Sequence, residues 1–211
     1  MEKIKVKDKS FRELADQYIY LDSSSLARRM QLLLADADDA TGVLCYAYID
    51  HERGIMFEAL CCAQFTQSEH KLKLCKGNEV QSIKLPYASV SETEMLLLSH
   101  NLPRLAEFKA KIDSITINFT ADANILKTRQ ITAIDHLRSL ERPDEVLVHV
   151  VQGERAEQCY VRLNGVNEMY LYGTLASEPA SNIGVHAGDS LSFYLVKNMQ
   201  GVMCMAIVGE K

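Results

Sequence analysis

The C-terminal third of the chain carries the most specific pattern in the sequence. Between Glu157 and Lys197, short runs of alternating apolar and polar residues are separated by turn residues such as Asn164-Gly165. Alternation with a period of two indicates strands with one buried face, and Asn-Gly is a strong signal for a hairpin turn. Counted on to the last such run, 202–208, about five short strands predict a small half-open barrel or curled sheet.

Two long apolar segments in the N-terminal part predict a central hairpin. Residues 42–50 (GVLCYAYID) and 55–66 (IMFEALCCAQFT) are rich in β-branched, aromatic and Cys residues, and the linker between them ends in Gly54. Strands this continuously apolar are buried on both faces, so we expect a central position in a sheet with helices packed over it. The second segment also fits a helical spacing through Met56 and Leu60, which leaves a helix as the alternative there.

Two Ser-x-x-Glu patterns predict helix starts. Ser10 with Glu13, and Ser91 with Glu94, can each exchange the two hydrogen bonds of a capping box. The first of these helices is expected to end near Tyr18. Apolar residues at helical spacing predict the remaining helices, which cover about 25–36, 105–111 and 127–140.

Alternating segments predict the remaining strands of the N-terminal part and its border. Residues 70–85 alternate on either side of Gly77-Asn78, which favours a second hairpin. Residues 114–120 (SITINFT) and 145–152 (EVLVHVVQ) each predict one strand.

The order of these elements indicates an α+β fold, because hairpins mix with helices without regular strand–helix–strand alternation. The chain has 211 residues, which suits either one bilobed domain or two small ones. We predict a mixed helix and antiparallel-sheet lobe over 1–143, packed on a small β-rich, half-open barrel-like module over 144–211.

Composition and charge narrow the functional classes. The net charge is −5 and the pI is about 5.7, which argues against a nucleic-acid binder because such proteins need a basic footprint. No segment reaches the roughly 18 apolar residues of a membrane span, and the charged residues 1–11 carry no secretory signal. The six cysteines form no Cys-x-x-Cys pair, which favours free, buried thiols. The sequence therefore predicts a cytoplasmic protein without nucleic-acid or membrane partners.

Standard catalytic and cofactor motifs do not occur in the sequence. It has no Gly-rich dinucleotide or phosphate loop, no His-Glu-x-x-His, no Gly-x-Ser-x-Gly and no zinc-type cysteine pairs. Asp36, Asp38 and Asp39 lie close together but lack the Gly and distal Glu of a calcium loop. We therefore predict no cofactor and no metal site.

A thiol–imidazole pair is the sharpest enzymatic hypothesis. Cys45 or Cys62 could meet His51 across the first hairpin, and His149 lies in a strand that could pair nearby. A catalytic thiol needs surroundings that favour the thiolate, whereas an apolar strand interior raises the pKa of a thiol. Buried packing is therefore the expected role of these cysteines.

Tyrosines of the C-terminal segment are the candidate contacts for a partner. Tyr170 and Tyr172 share one face of a predicted strand, and Tyr160 precedes them in another. Tyrosine is enriched at interfaces because it brings a large contact area at low entropic cost; packing against the first lobe is the alternative. His186 and Asp189 lie in one loop and are further candidates for binding, although an Asp before a strand also serves as a turn former.

Several residues of this segment form a pattern found in a known family. The pattern consists of Glu157, Tyr160 and Val161, then Gly173, Leu175 and Pro179, then Gly188 and Asp189 before an alternating strand. It resembles the YegJ-like family of uncharacterised bacterial β-rich domains, and related domains suggested to serve as immunity proteins in toxin systems. The resemblance implies a β-rich fold and a protein partner.

Two functions from different classes follow from these observations. The first is a non-catalytic bacterial protein of the protein-binding or toxin-immunity type, whose partner is another protein and which could form a homo-oligomer. The alternative is a small cytoplasmic hydrolase or transferase with a Cys/His site between the lobes.

Overall fold

The computed structural model of the chain describes residues 3–34, 39–66, 71–75, 82–99, 104–199 and 201–209. The chain divides into an N-terminal unit, Met1–Thr120, and a C-terminal unit, Ala121–Lys211. None of the helices within the described ranges is long and apolar enough to cross a membrane. Helices, an antiparallel sheet and a barrel together confirm the predicted α+β class.

An antiparallel sheet forms the N-terminal unit. Its described strands are β1 (Ile4–Lys5), β2 (Gln17–Asp22), β3 (Gly42–Asp50), β4 (Gly54–Thr66), β5 (Lys71–Leu74), β6 (Ile83–Pro86) and β7 (Glu94–Leu98). The strand order is β1-β7-β2-β3-β4, and both β5 and β6 pair with β4. The predicted central hairpin is confirmed, because β3 and β4 pair from Gly42 with Ala63 to Asp50 with Gly54.

Helices cover both faces of this sheet, as the unbroken apolar character of β3 and β4 predicts. They are α1 (Phe11–Leu14), α2 (Ser24–Leu34), α3 (Tyr87–Val90) and α4 (Lys109–Phe119). Alternate residues of β3 belong to two different cores: Cys45 lies in the one that contains Ala27 of α2, and Tyr46 lies in the one that contains Ile115 of α4. Residues 42–49 of β3 are therefore buried whichever face of the sheet their side chains point to.

The two predicted capping boxes have different outcomes. At Ser10 the box forms, and the Ser10 backbone N–H donates to Glu13 Oε2 at 3.0 Å. Helix α1 ends at Leu14 and not near Tyr18, because Gln17 already begins β2. The helix predicted from Ser91 is wrong. Glu94–Leu98 is instead strand β7, which lies between β1 and β2, where a short apolar run can bury both faces.

Two further strand predictions for the N-terminal unit are wrong. The segment 114–120 is not a strand but lies mostly in α4, where Ile115 is buried and Ile117 is 81% exposed. The segment 70–85 is not a hairpin of mutually paired strands, because β5 pairs with residues 63–66 of β4 and β6 pairs with residues 56–59. Gly77-Asn78 lies outside the described residues, as do residues 35–36 of the helix predicted over 25–36.

A closed barrel forms the C-terminal unit. Its strands are β8 (Glu145–Gln152), β9 (Arg155–Val166), β10 (Leu171–Leu175), β11 (Ser190–Asn198) and β12 (Gly201–Ile207), in the order β10-β11-β12-β8-β9. The half-open barrel of the prediction is therefore corrected. The last strand, β12, pairs in parallel with the first, β8, from Cys204 with Val148 to Ile207 with Val151, and this pairing removes both free sheet edges.

The segment before the barrel belongs to the C-terminal unit, so the division at Thr120 lies upstream of the predicted boundary at 143/144. The helix predicted over 127–140 is replaced by α5 (Ala123–Arg129) and a 3₁₀ helix (Thr132–Leu137). Arg129 at the end of α5 binds Asp144, just before β8, through two hydrogen bonds of 2.9 and 2.7 Å. This pair holds the helix to the barrel.

Asn164-Gly165 does not form the predicted hairpin turn. Strand β9 continues through it to Val166, and the turn follows at Asn167, whose side-chain oxygen accepts hydrogen bonds from the backbone of Met169 and Tyr170. Gly165 pairs with Tyr172 across the strands, and a Cβ atom at Gly165 would collide with the Tyr172 ring. The glycine is therefore needed for aromatic packing in a strand and not for a turn.

Candidate binding surface

Tyrosines and serines line the outer surface of β10 and β11. Strand alternation places Ser190, Ser192 and Tyr194 on the face opposite the buried Leu191 and Phe193. Tyr194 is 48% exposed in the middle of its strand. We name the surface formed by Tyr170, Tyr172, Ser190, Ser192 and Tyr194 the tyrosine face.

The rings of the tyrosine face support one another. Tyr170 and Tyr194 meet edge to face with ring centroids 6.1 Å apart, a geometry that aromatic pairs prefer. Tyr172 is opposite Ser192 of β11 on one side and Gly165 of β9 on the other. This packing gives the three rings defined positions.

A groove of about 330 Å³ lies within the tyrosine face. Its lining consists of Asn164, Tyr170, Tyr172, Gly173, Ser190, Leu191 and Ser192. The amide of Asn164 donates to Thr174 Oγ1 at 2.9 Å, which fixes the wall contributed by β9. Hydroxyl and amide groups stand beside aromatic rings here, and no charged side chain lines this groove.

Exposed large apolar side chains concentrate in the C-terminal unit. Within the described part of the chain they are Leu126, Leu140, Tyr160, Met169, Tyr194, Leu195, Met199 and Ile207 in that unit, against Ile117 in the N-terminal unit. Scattered exposed apolar residues are normal, and among these Tyr194 is the one that belongs to the tyrosine face.

The five residues predicted from the sequence do not form one site. Tyr170 and Tyr172 line the groove together. Tyr160 is 39% exposed on β9, opposite Leu147 of β8, and is not part of the groove lining. His186 and Asp189 lie in the loop between β10 and β11.

Carboxylates organise that loop. Asp189 Oδ2 accepts a hydrogen bond from the backbone N–H of His186 at 2.8 Å, which is a turn-forming contact. Glu178 accepts from Ala187 N and lies 2.6 Å from His186 Nδ1, and the His186 contact lowers the pKa of Glu178. The geometry gives His186 and Asp189 a role in holding the loop.

The thiols have surroundings that oppose thiolate formation. Burial raises the pKa of Cys61 to about 12 and that of Cys62 to about 11, and it also raises the pKa of Cys45. His51 lies in the turn between β3 and β4, whereas Cys62 pairs with Val43 near the other end of the hairpin. At about 3.3 Å per residue this separates them by roughly 25 Å, so the predicted meeting of His51 with Cys62 across the hairpin does not occur.

We expect slow alkylation of the buried thiols in the folded protein. At pH 8, Cys45, Cys61 and Cys62 should be protected from iodoacetamide, because a neutral buried thiol is a poor nucleophile, whereas the half-buried Cys75 should react first. Peptide mass spectrometry after timed alkylation, with a urea-unfolded sample as the control, measures this. If Cys45, Cys61 or Cys62 reacted faster in the folded than in the unfolded protein, that result would support the enzymatic alternative.

Residues that the sequence did not single out complete the tyrosine face. Ser190, Ser192 and Tyr194 follow from the alternation of SLSFY, so their outward direction was available in the sequence. The contribution of Asn164 depends on the register of β9 against β10, which shifts at Tyr172/Gly173.

Among the described residues no cluster of three potential metal ligands occurs; Asp36 and Asp38 lie outside them. No family model matches the sequence, and neither a curated protein nor a solved structure matches the chain.

Proposed function

We propose that the chain is a non-catalytic binding protein, and that its barrel holds another protein on the tyrosine face. One observation carries this proposal: Tyr194 is 48% exposed in mid-strand and its ring is held by Tyr170. An aromatic side chain that is already ordered loses little entropy on binding, which is why such residues become the strongest contacts of an interface.

The narrower form of the proposal is a bacterial, cytoplasmic immunity-type protein whose partner is a toxin. The pattern from Glu157 to Asp189 that resembles the YegJ-like and immunity-protein domains supports this form. All six cysteines lie in described ranges and are free thiols, which suits a reducing compartment. Self-association through the same face is the alternative, and the test below separates it from the binding of another protein.

Photo-crosslinking from position 194 tests the proposal. Replacing Tyr194 with p-benzoylphenylalanine keeps an aromatic ring on the surface and should give a covalent adduct with one other protein in cells that express the chain. The same replacement at Glu154, an exposed residue of the β8–β9 turn in the same barrel, is the matched control and should give no such adduct.

Two results would contradict the proposal. Identical adducts from positions 194 and 154 would mean that the contacts at Tyr194 are unspecific. An adduct at 194 that contains a second copy of this chain alone would assign the tyrosine face to self-association.

A further inference from the structure

A cavity of about 800 Å³ opens beside α4 in the N-terminal unit. The aromatic and aliphatic part of its lining includes Phe108, Ile115 and Phe119, and its polar part includes Glu58, Ser82 and Lys84. Its volume lies in the range of about 300–1,000 Å³ that is typical of small-molecule sites. Charged and polar side chains outnumber the apolar ones in its lining.

A buried carboxylate faces this cavity. Strand alternation places Glu58 on the α4 side of β4, and only 1% of Glu58 is exposed. Its Oε2 accepts a hydrogen bond from Ser82 Oγ at 3.2 Å, while Oε1 lies 3.1 Å from Lys111 Nζ but accepts no hydrogen bond. Buried carboxylate oxygens are usually fully hydrogen-bonded, so the Lys111 ammonium group compensates the charge of Glu58 without satisfying the hydrogen-bonding capacity of Oε1.

A second buried polar group on the same face is also short of a partner. The Tyr48 hydroxyl is buried without a hydrogen bond, and its ring packs on Phe119 with centroids 5.0 Å apart. Burial, followed by the nearby charge of Glu58, raises the pKa of Tyr48, so the hydroxyl keeps its proton and can donate. Two such groups beneath one helix are unusual for a face that is merely packed.

The charges around the cavity leave one lysine without a carboxylate. Three carboxylates of the lining have cations: Glu58 has Lys111, Glu107 has Arg104 at 2.8 Å, and Asp113 has Lys109 at 2.6 Å. Lys84 Nζ instead lies 4.3 Å from the centre of the Phe119 ring, and within the described residues it has no carboxylate partner. Lys84, which is opposite Glu58 in the pairing of β6 with β4, is therefore the lining cation without an ion pair among the described residues, and it lies against an aromatic wall.

We propose that this cavity binds a small amphipathic carboxylate, with its anionic group at Lys84 and its apolar body against Phe108, Ile115 and Phe119. A neutral apolar ligand would leave Lys84 unpaired, and a compact inorganic anion would leave the aromatic walls without contact. This site is independent of the tyrosine face, since all its residues belong to the N-terminal unit.

Binding of octanoate, octylammonium and 1-octanol, three probes with the same chain, tests the proposal. In protein with ¹³C-labelled isoleucine methyl groups, octanoate should shift the Ile115 signal saturably. It should bind about tenfold more tightly than 1-octanol, because a hydrogen bond to a charged group is worth about that factor. Octylammonium should bind more weakly than either.

Three variants separate the charge from the cavity. K84Q keeps most of the side-chain length and should weaken octanoate about tenfold while leaving 1-octanol unchanged. K73Q removes an exposed lysine of β5 that does not line the cavity and should change neither. A110F fills space beside α4 and should weaken both probes.

Each remaining outcome overturns the proposal. Equal binding of octanoate and octylammonium, or octanoate binding that K84Q does not change, excludes an anionic ligand. The absence of a saturable shift at Ile115 excludes the site. A shift of Ile115 that grows with protein concentration alone assigns the cavity to a second copy of the chain.

Discussion

Replacing Asp144 with alanine is expected to lower the free energy of unfolding of the C-terminal unit by about 3–5 kcal/mol. Asp144 is 2% exposed, and its two carboxylate oxygens accept from Arg129 Nε and Nη2. Arg129 itself has only 15% of its side chain exposed. Without Asp144 the guanidinium group loses its carboxylate in a place where water reaches it poorly, and an unpaired charge there is costly.

Urea unfolding followed by the amide signals of β8 and β9 measures this loss. The matched control is Asp113→Ala, which breaks the exposed pair with Lys109 in α4. That change should cost less than about 0.5 kcal/mol in the N-terminal unit, because exposed ion pairs contribute little. A loss for Asp144→Ala as small as that for Asp113→Ala would show that the barrel does not depend on the α5 attachment.

The second large effect is expected at Phe193. This side chain is fully buried in the barrel core, and Phe193→Ala should lower the free energy of unfolding of the C-terminal unit by about 3–5 kcal/mol, through lost burial and the cavity left behind. The same urea experiment measures it.

The neighbouring residue provides the control for this prediction and links it to function. Tyr194→Ala removes a ring from the outer face of the same strand and should cost about 1 kcal/mol or less, chiefly the contact with Tyr170. It should nevertheless abolish the binding proposed for the tyrosine face. A loss of stability at Tyr194 as large as that at Phe193 would mean that Tyr194 is structural and would remove the main support for that proposal.

Sequence patterns predicted the correct elements where neighbouring residues in the chain settle the structure. The pairing of β3 with β4, the strand β8 and the capping box at Ser10 are all confirmed. Each rests on a feature that neighbours in the chain largely settle, such as a tight link between two apolar runs or a serine three residues before a glutamate.

Local patterns failed where another part of the chain decides. SITINFT alternates like a strand and is rich in β-branched residues, yet it is mostly in α4. Ile115 and Phe119, four residues apart, both pack on the core beneath this helix, while Ile117 is exposed. The run after Ser91 looks like a capped helix, yet β1 and β2 pair with it on both sides. Differences in local preference are below about 1 kcal/mol per residue, so burial and pairing override them.

The candidate site shows the same division. Tyr170 and Tyr172 were predicted as surface residues from alternation, and they do line the groove. The residues that neighbour these two tyrosines were not predictable, because a shift of one residue in the pairing of β9 and β10 would exchange the neighbours of Tyr172. The cavity beside α4 could not be anticipated either, since it brings Glu58 and Lys84 together with a segment that the sequence presented as a strand.

The sequence by itself determined the α+β class, the buried central hairpin and the alternation that turns Tyr194 outward, because these follow from how apolar residues are spaced along a strand. Tertiary structure alone decided that the barrel closes, that α5 belongs to it and that Glu58 is buried beside Lys111. Those features depend on contacts between residues far apart in the chain, and their free energies exist only once distant segments have met.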